Sequence, residues 1–148
     1  MTLAQYMDKQ LITFSNAFSR DEILKELTQL IYEAGRIKDK KQFFEAILKR
    51  EKIVSTAIGM NVAIPHAKLS GYDQFFIAIA ILKQSVAWQS LDGSTVRMVF
   101  MIGGPDDKQT EYLQLLSQLT QIVKDEEVRK SLLTSSSPID IIKLFQTI

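Results

Sequence analysis

The stretch Phe75-Phe76-Ile77-Ala78-Ile79-Ala80-Ile81-Leu82 decides the fold. It is apolar without interruption, yet far shorter than the roughly 20 residues a membrane helix needs. A strand with no polar face belongs in the middle of a sheet that is covered on both sides. Downstream, Val86-Ala87-Trp88 predicts a short strand, Asp92-Gly93 a turn, and Val96 to Ile102 a second strongly apolar strand. Trp88, at the edge of apolar sequence, is expected in the core rather than as a partner-binding anchor. Gly103-Gly104-Pro105-Asp106-Asp107 predicts a loop. Loops after strands often line sites in α/β folds, but two aspartates would repel an anion, so a solvated loop is the preferred reading.

Helical patterns flank these strands. Ser19 and Glu22 have capping-box spacing, and Ile23, Leu24, Leu27, Leu30 and Ile31 follow as one apolar stripe that Gly35 stops. A second helix is predicted from Asp39 to about Arg50-Glu51, burying Phe43, Phe44, Ile47 and Leu48. A third runs from about Thr110 to Lys124, with Leu113, Leu116, Leu119, Ile122 and Val123 as its stripe and Leu115 beside it. A shorter one covers about Glu126 to Leu133. The last starts at Ser137 with Pro138 in its first turn, and its apolar side is Ile141, Ile142, Leu144 and Phe145. Helices at both ends around central strands imply a layered α/β domain with helices on both sheet faces.

The totals narrow the function. At 148 residues the chain fits one domain, residues 1–148. A net charge of +1 argues against a nucleic-acid binder. Lys40, Lys41, Lys49, Arg50 and Lys52 do cluster, but Glu45 and Glu51 interrupt them, which reads as a solvated helix face. With no cysteine and one histidine, disulfides are excluded and a zinc site is improbable. The start of the chain has no basic segment leading into an apolar run, and no stretch is long enough to insert in a membrane, so a cytoplasmic protein is expected.

The single histidine, His66, lies in Ala63-Ile64-Pro65-His66-Ala67, after Ser55-Thr56-Ala57-Ile58-Gly59-Met60-Asn61. The small and β-branched residues, with Gly59 and Pro65, predict short strands and tight turns. His66 is the one obvious neutral-pH nucleophile. A lone histidine is more often a partly buried residue with a satisfied hydrogen bond. Pro65, however, fixes its own φ and stiffens the approach to His66, which suits a group that must meet phosphorus in line with a leaving group. Such a histidine must be neutral, with one ring N–H held by a backbone carbonyl and the other nitrogen exposed. The phosphoryl group then needs donors, for which Ser55, Thr56 and Arg50 are candidates. Arg50 reads equally as a charge suited to a helix C-terminus. Met60 is a candidate for an apolar collar around His66.

Arg50-Glu51, Ser55-Thr56-Ala57-Ile58-Gly59 and Ala63-Ile64-Pro65-His66-Ala67 together resemble the enzyme IIA domain of the bacterial phosphoenolpyruvate:sugar phosphotransferase system, fructose/mannitol class, which includes the nitrogen-regulatory form. Trp88-Gln89-Ser90-Leu91-Asp92-Gly93 followed by Val96, Leu113 to Leu119 and the helix from Ser137 extend the resemblance over nearly the whole chain. The resemblance implies a mixed β-sheet sandwiched between helical layers. It implies that His66 takes a phosphoryl group from a phosphohistidine carrier protein and passes it to an enzyme IIB partner, usually onto a cysteine. It matches Arg50 to the family arginine, and implies neither cofactor nor metal. The alternative within the family is a regulatory protein whose phosphorylation state decides which target it holds; the absence of an attached IIB or membrane domain leans modestly that way. One departure stands out. Many members have a second histidine at the start of the long helix, where this chain has Tyr112. Tyrosine can donate a hydrogen bond but cannot carry positive charge. Slower transfer or a phosphorylated state held differently is the expectation, and a relative that has lost transfer is the rival it motivates; an ordinary amphipathic helix residue is the other reading of Tyr112.

Overall fold

The computed structural model describes residues 2–148. Its frame is a mixed six-stranded sheet. Strand β1 is Ile12–Ser15, β2 Ala57–Gly59, β3 Val62–Ala63, β4 His66–Leu69, β5 Phe76–Ala87 and β6 Thr95–Pro105. Helix α1 is Arg20–Glu33, α2 Lys40–Ile53, α3 Gln109–Val123, α4 Glu126–Thr134 and α5 Pro138–Gln146. β5 and β6 pair antiparallel at the centre; β1 lies parallel on the outer side of β5. The other edge of β6 takes β3 and then β4, one after the other and both parallel to it.

The reading of the central strand holds at the level of single side chains. Ile77, Ile79 and Ile81 face one way and pack with Leu115, Leu119, Val128, Leu132, Ile141 and Phe145 of α3, α4 and α5. Phe76, Ala78, Ala80 and Leu82 face the other way, onto Ile23, Leu27, Ile31, Phe43 and Ile47 of α1 and α2. Successive residues of a strand alternate in direction, so the Ile-Ala-Ile-Ala-Ile run serves two cores at once. The fold is therefore the α/β sandwich with a mixed sheet that the sequence implied.

The helix starts also follow the sequence. Ser19 accepts from Glu22 N at 3.2 Å, Asp39 from Gln42 N at 3.0 Å and Ser137 from Asp140 N at 3.3 Å, each satisfying a backbone donor that the first turn leaves open. Gly35 follows α1 at φ +76°, the left-handed conformation that ends many helices.

Several expectations need correction. α2 continues to Ile53, past Arg50-Glu51. Val86 and Ala87 do not form a separate strand; they continue β5 beyond a register shift, and Trp88 lies just after it. Strand β1, four residues long, carries no clear strand signal of its own in the sequence. Gly103-Gly104-Pro105 is not a solvated loop but the buried end of β6. A Cβ at Gly104 would sit 2.2 Å from the Phe75 ring, and one at Gly103 would sit 2.4 Å from Phe76. Those glycines are thus the floor on which two phenyl rings lie; only Asp106 and Asp107 turn out to solvent. Finally, the buried stripe of α3 is Tyr112, Leu115, Leu119 and Val123, while Leu113 is 51% exposed. Treating Tyr112 as polar rotates the stripe by one residue, about 100° around the helix.

Candidate functional site

β3 and β4 form one line along β6, interrupted by Ile64-Pro65. The Ile64 N–H bonds Thr56 O at 3.0 Å, and Pro65 O accepts from Ile102 N at 2.9 Å. Pro65 has no N–H to leave unpaired in this gap. The break delivers His66 as the first residue of β4, in register with Ile102 and therefore on the α3 side of the sheet.

The imidazole is half-buried, and both ring nitrogens have partners. Nδ1 lies 3.2 Å from the Ile64 carbonyl oxygen, and Arg50 Nε donates to Nε2 at 3.2 Å. A carbonyl can only accept and a guanidinium can only donate. The proton therefore belongs on Nδ1, and Nε2 presents its lone pair. Burial, offset in part by the hydrogen bond to Ile64, and then the positive charges of Arg50 and Lys68 bring the imidazole pKa below its ordinary value of 6.5. The site holds His66 neutral.

This shift has a measurable consequence. The unfolded chain takes up the His66 proton at a higher pH than the native protein does. Stability tied to the neutral ring is therefore complete above about pH 6.5 and is lost as pH falls from there toward the native pKa. We expect the Tm of the natural protein to drop relative to that of His66→Gln as pH is lowered from 7 to about 5. A wild-type curve that rises relative to the variant over that range contradicts the assignment.

Arg50 is presented by the last turn of α2, and its Nη1 also bonds Val54 O at 2.8 Å. The next residue, Glu51, is 3% exposed. Its carboxylate accepts from Thr56 N at 2.6 Å, Thr56 Oγ1 at 2.5 Å and Trp88 Nε1 at 3.1 Å. Glu51 thereby pins the segment leaving α2. Thr56, expected near the phosphate, has both of these donors committed to Glu51. Ser55 is more open, and its Oγ accepts from Ala57 N at 3.2 Å.

Tyr112 does reach the site. Its ring is 4% exposed and lies 5.6 Å from the His66 ring, backed by Phe75 at 6.1 Å. Trp88 is fully buried, as expected, but it also anchors Glu51. Met60 does not form a collar. It sits in the β2–β3 turn, whose next residue, Asn61, accepts from Arg97 N and Met98 N well down β6 from Ile102, and its sulfur lies 3.5 Å from Arg129 Nη1. Exposed Ile53 and Val54 follow Arg50 at the end of α2, and Val54 O accepts from Arg50 Nη1.

Two further residues matter here. Glu51 reads in the sequence as a break in a basic run and as part of the Arg50-Glu51 phrase, yet an acid in the last turn of a helix opposes the macrodipole and so needs a local reason. Lys68 follows His66 by two residues in a strand, a spacing that places both on one face.

The site is thus a neutral imidazole with its outer nitrogen under a guanidinium, at the edge of an α/β sandwich. The family model described as "Phosphoenolpyruvate-dependent sugar phosphotransferase system, EIIA 2" matches residues 5–148, and the chain belongs to that family. It is 32% identical over 117 residues to a nitrogen regulatory protein of Bradyrhizobium diazoefficiens, covering 79% of this chain and 76% of that one. It is 33% identical over 145 residues to the fructose-specific EIIABC component of Bacillus subtilis, covering 97% of this chain but 23% of that longer protein. The crystal structure of the nitrogen regulatory protein IIA-Ntr from Neisseria meningitidis superposes with a TM-score of 0.90 at 26% identity, covering 97% of this chain and 98% of that one. Among the described residues, no helix is long and apolar enough to cross a membrane.

Proposed function

We propose that the protein is a phosphocarrier in which His66 Nε2 accepts a phosphoryl group from a phosphohistidine carrier protein and passes it to an enzyme IIB partner in sugar uptake. The observation that carries this reading is the tautomer: Nδ1–H is tied to Ile64, so the lone pair stands on Nε2. In the first step that lone pair forms the new N–P bond. The donor's N–P bond breaks, and its electron pair returns to the donor imidazole. In the second step an acceptor thiolate attacks phosphorus and the electron pair returns to Nε2. The Nδ1 proton stays in place throughout.

Arg50 must turn away from Nε2 to admit phosphorus, and its fork then suits the phosphoryl oxygens. In this reading Ser55, whose Oγ accepts from Ala57 N and keeps its own proton to give, offers a hydroxyl to the phosphoryl oxygens, while Thr56 and Pro65 support the site by holding backbone. Tyr112 packs beside the ring in place of the family's second histidine and brings no charge.

The test is to mix the protein with phosphoenolpyruvate, enzyme I and the histidine carrier and to measure its intact mass. Gain of one acid-labile phosphoryl group, absent in His66→Ala, is expected. No gain with competent donors overturns transfer and leaves a relative that kept only the fold.

A regulatory role is the second reading, favoured by the likeness to nitrogen regulatory proteins over most of both chains. Phosphorylation would then add charge to the surface around His66 and change which target binds there. Recovery of an enzyme IIB on an affinity column supports transport. Recovery of a kinase or potassium transporter from one phosphorylation state alone supports regulation.

A further inference from the structure

Lys68 has unusual company for a cation. It lies on β4, on the same face as His66, and its Nζ stands 4.3 Å from the centroid of the Tyr112 ring. The same ammonium donates to Gln109 Oε1 at 2.6 Å, at the first residue of α3. Among the described residues no carboxylate forms an ion pair with it. An amide oxygen and a π face hold a cation in position without neutralising it. Tyr112 in turn lies against the His66 ring. The charge is thus kept beside the nucleophile but off it, on a flexible four-carbon stem.

We propose that Lys68 is the second cation of the phosphorylated site: it rests on the face of Tyr112 when His66 is free and swings onto the phosphoryl oxygens when Nε2 carries the group. Tyr112 is then a positioning residue, which lets the chain use a lysine where relatives have a second histidine. This inference rests on the reading that His66 is the phosphorylated residue. Arg50, at the end of α2, supplies the other positive charge.

The test separates this inference from the carrier reading by loading His66 chemically. Phosphoramidate transfers a phosphoryl group to histidine without any protein donor. The phosphoprotein is then titrated by 31P NMR, following the second ionisation of the phosphoryl group. Loss of a unit positive charge about 5 Å away should raise that ionisation by roughly half a pKa unit in Lys68→Met. Lys68→Arg should restore the wild-type midpoint, and Lys143→Met, a charge control on α5, should leave it unchanged. Thermal melts of each variant establish that the fold is kept. A Lys68→Met midpoint equal to wild type overturns the proposal, and so does an equal shift in Lys143→Met. If phosphoramidate loads His66 but the histidine carrier cannot, only the carrier reading fails, and the titration still judges Lys68. If phosphoramidate cannot load His66, both fail.

Discussion

Arg50→Ala is expected to slow phosphoryl transfer to His66 by about 10²–10³-fold, the cost of losing one preorganised donor to developing phosphoryl charge. Two effects oppose each other in this variant. Removing the guanidinium uncovers Nε2 and takes away a positive charge that depresses the imidazole pKa, so the free ring becomes a better base. The transition state, however, loses its fork of N–H donors. The second effect wins, because charge on the transferring group is greatest there and water replaces a fixed donor at the cost of reorganisation. Arg50→Lys should recover little, since an ammonium cannot reproduce a bidentate fork. Rapid-quench measurement of the first transfer step decides it. If Arg50 only complements the helix dipole, the variant loses under about 1 kcal/mol of stability and transfers at the wild-type rate.

The largest effect on stability is expected at Glu51. Truncation to alanine leaves Thr56 N, Thr56 Oγ1 and Trp88 Nε1 without their acceptor inside the protein. Each stranded donor costs about 1–3 kcal/mol, and partial hydration reduces the sum, so a loss of roughly 3–5 kcal/mol is expected. Glu51→Gln retains one carbonyl oxygen but turns an NH2 toward donors, and should fall between the two. Urea unfolding with an unchanged m-value is the measurement. A loss below about 1 kcal/mol contradicts the role given to this carboxylate. The functional consequence follows from the same bonds. Thr56 O receives Ile64 N, and Ile64 O holds the His66 proton. Loosening Glu51 therefore loosens the group that sets the tautomer.

Some of this was legible in short stretches of sequence. The uninterrupted apolar run from Phe75 to Leu82 predicts a central strand covered on both sides from the sequence alone. Ser19, Asp39 and Ser137 marked helix starts because capping is completed within four residues. Pro65 before His66 marked a stiff approach. The failures have local causes too. Gly103-Gly104-Pro105 carries turn-forming residues, but the glycines are required by the Phe75 and Phe76 rings that lie across them, which no local rule contains. Strand β1 is four residues long and gains its identity from pairing with Ile79–Leu82. The α3 stripe was rotated because a tyrosine ring is apolar over most of its surface.

What the sequence by itself determined was the two-faced central strand, the helices around it and the stiff approach to its one histidine. Only the tertiary structure decided how that imidazole is tuned. Arg50 meets His66 across 16 residues of chain, Trp88 meets Glu51 across 37, and Lys68 meets Gln109 across 41. The physical reason is range. Capping and alternation are settled by atoms a few residues apart, whereas the protonation of His66 depends on groups, Arg50 first, that become its neighbours only once α2 and α3 have packed around β4.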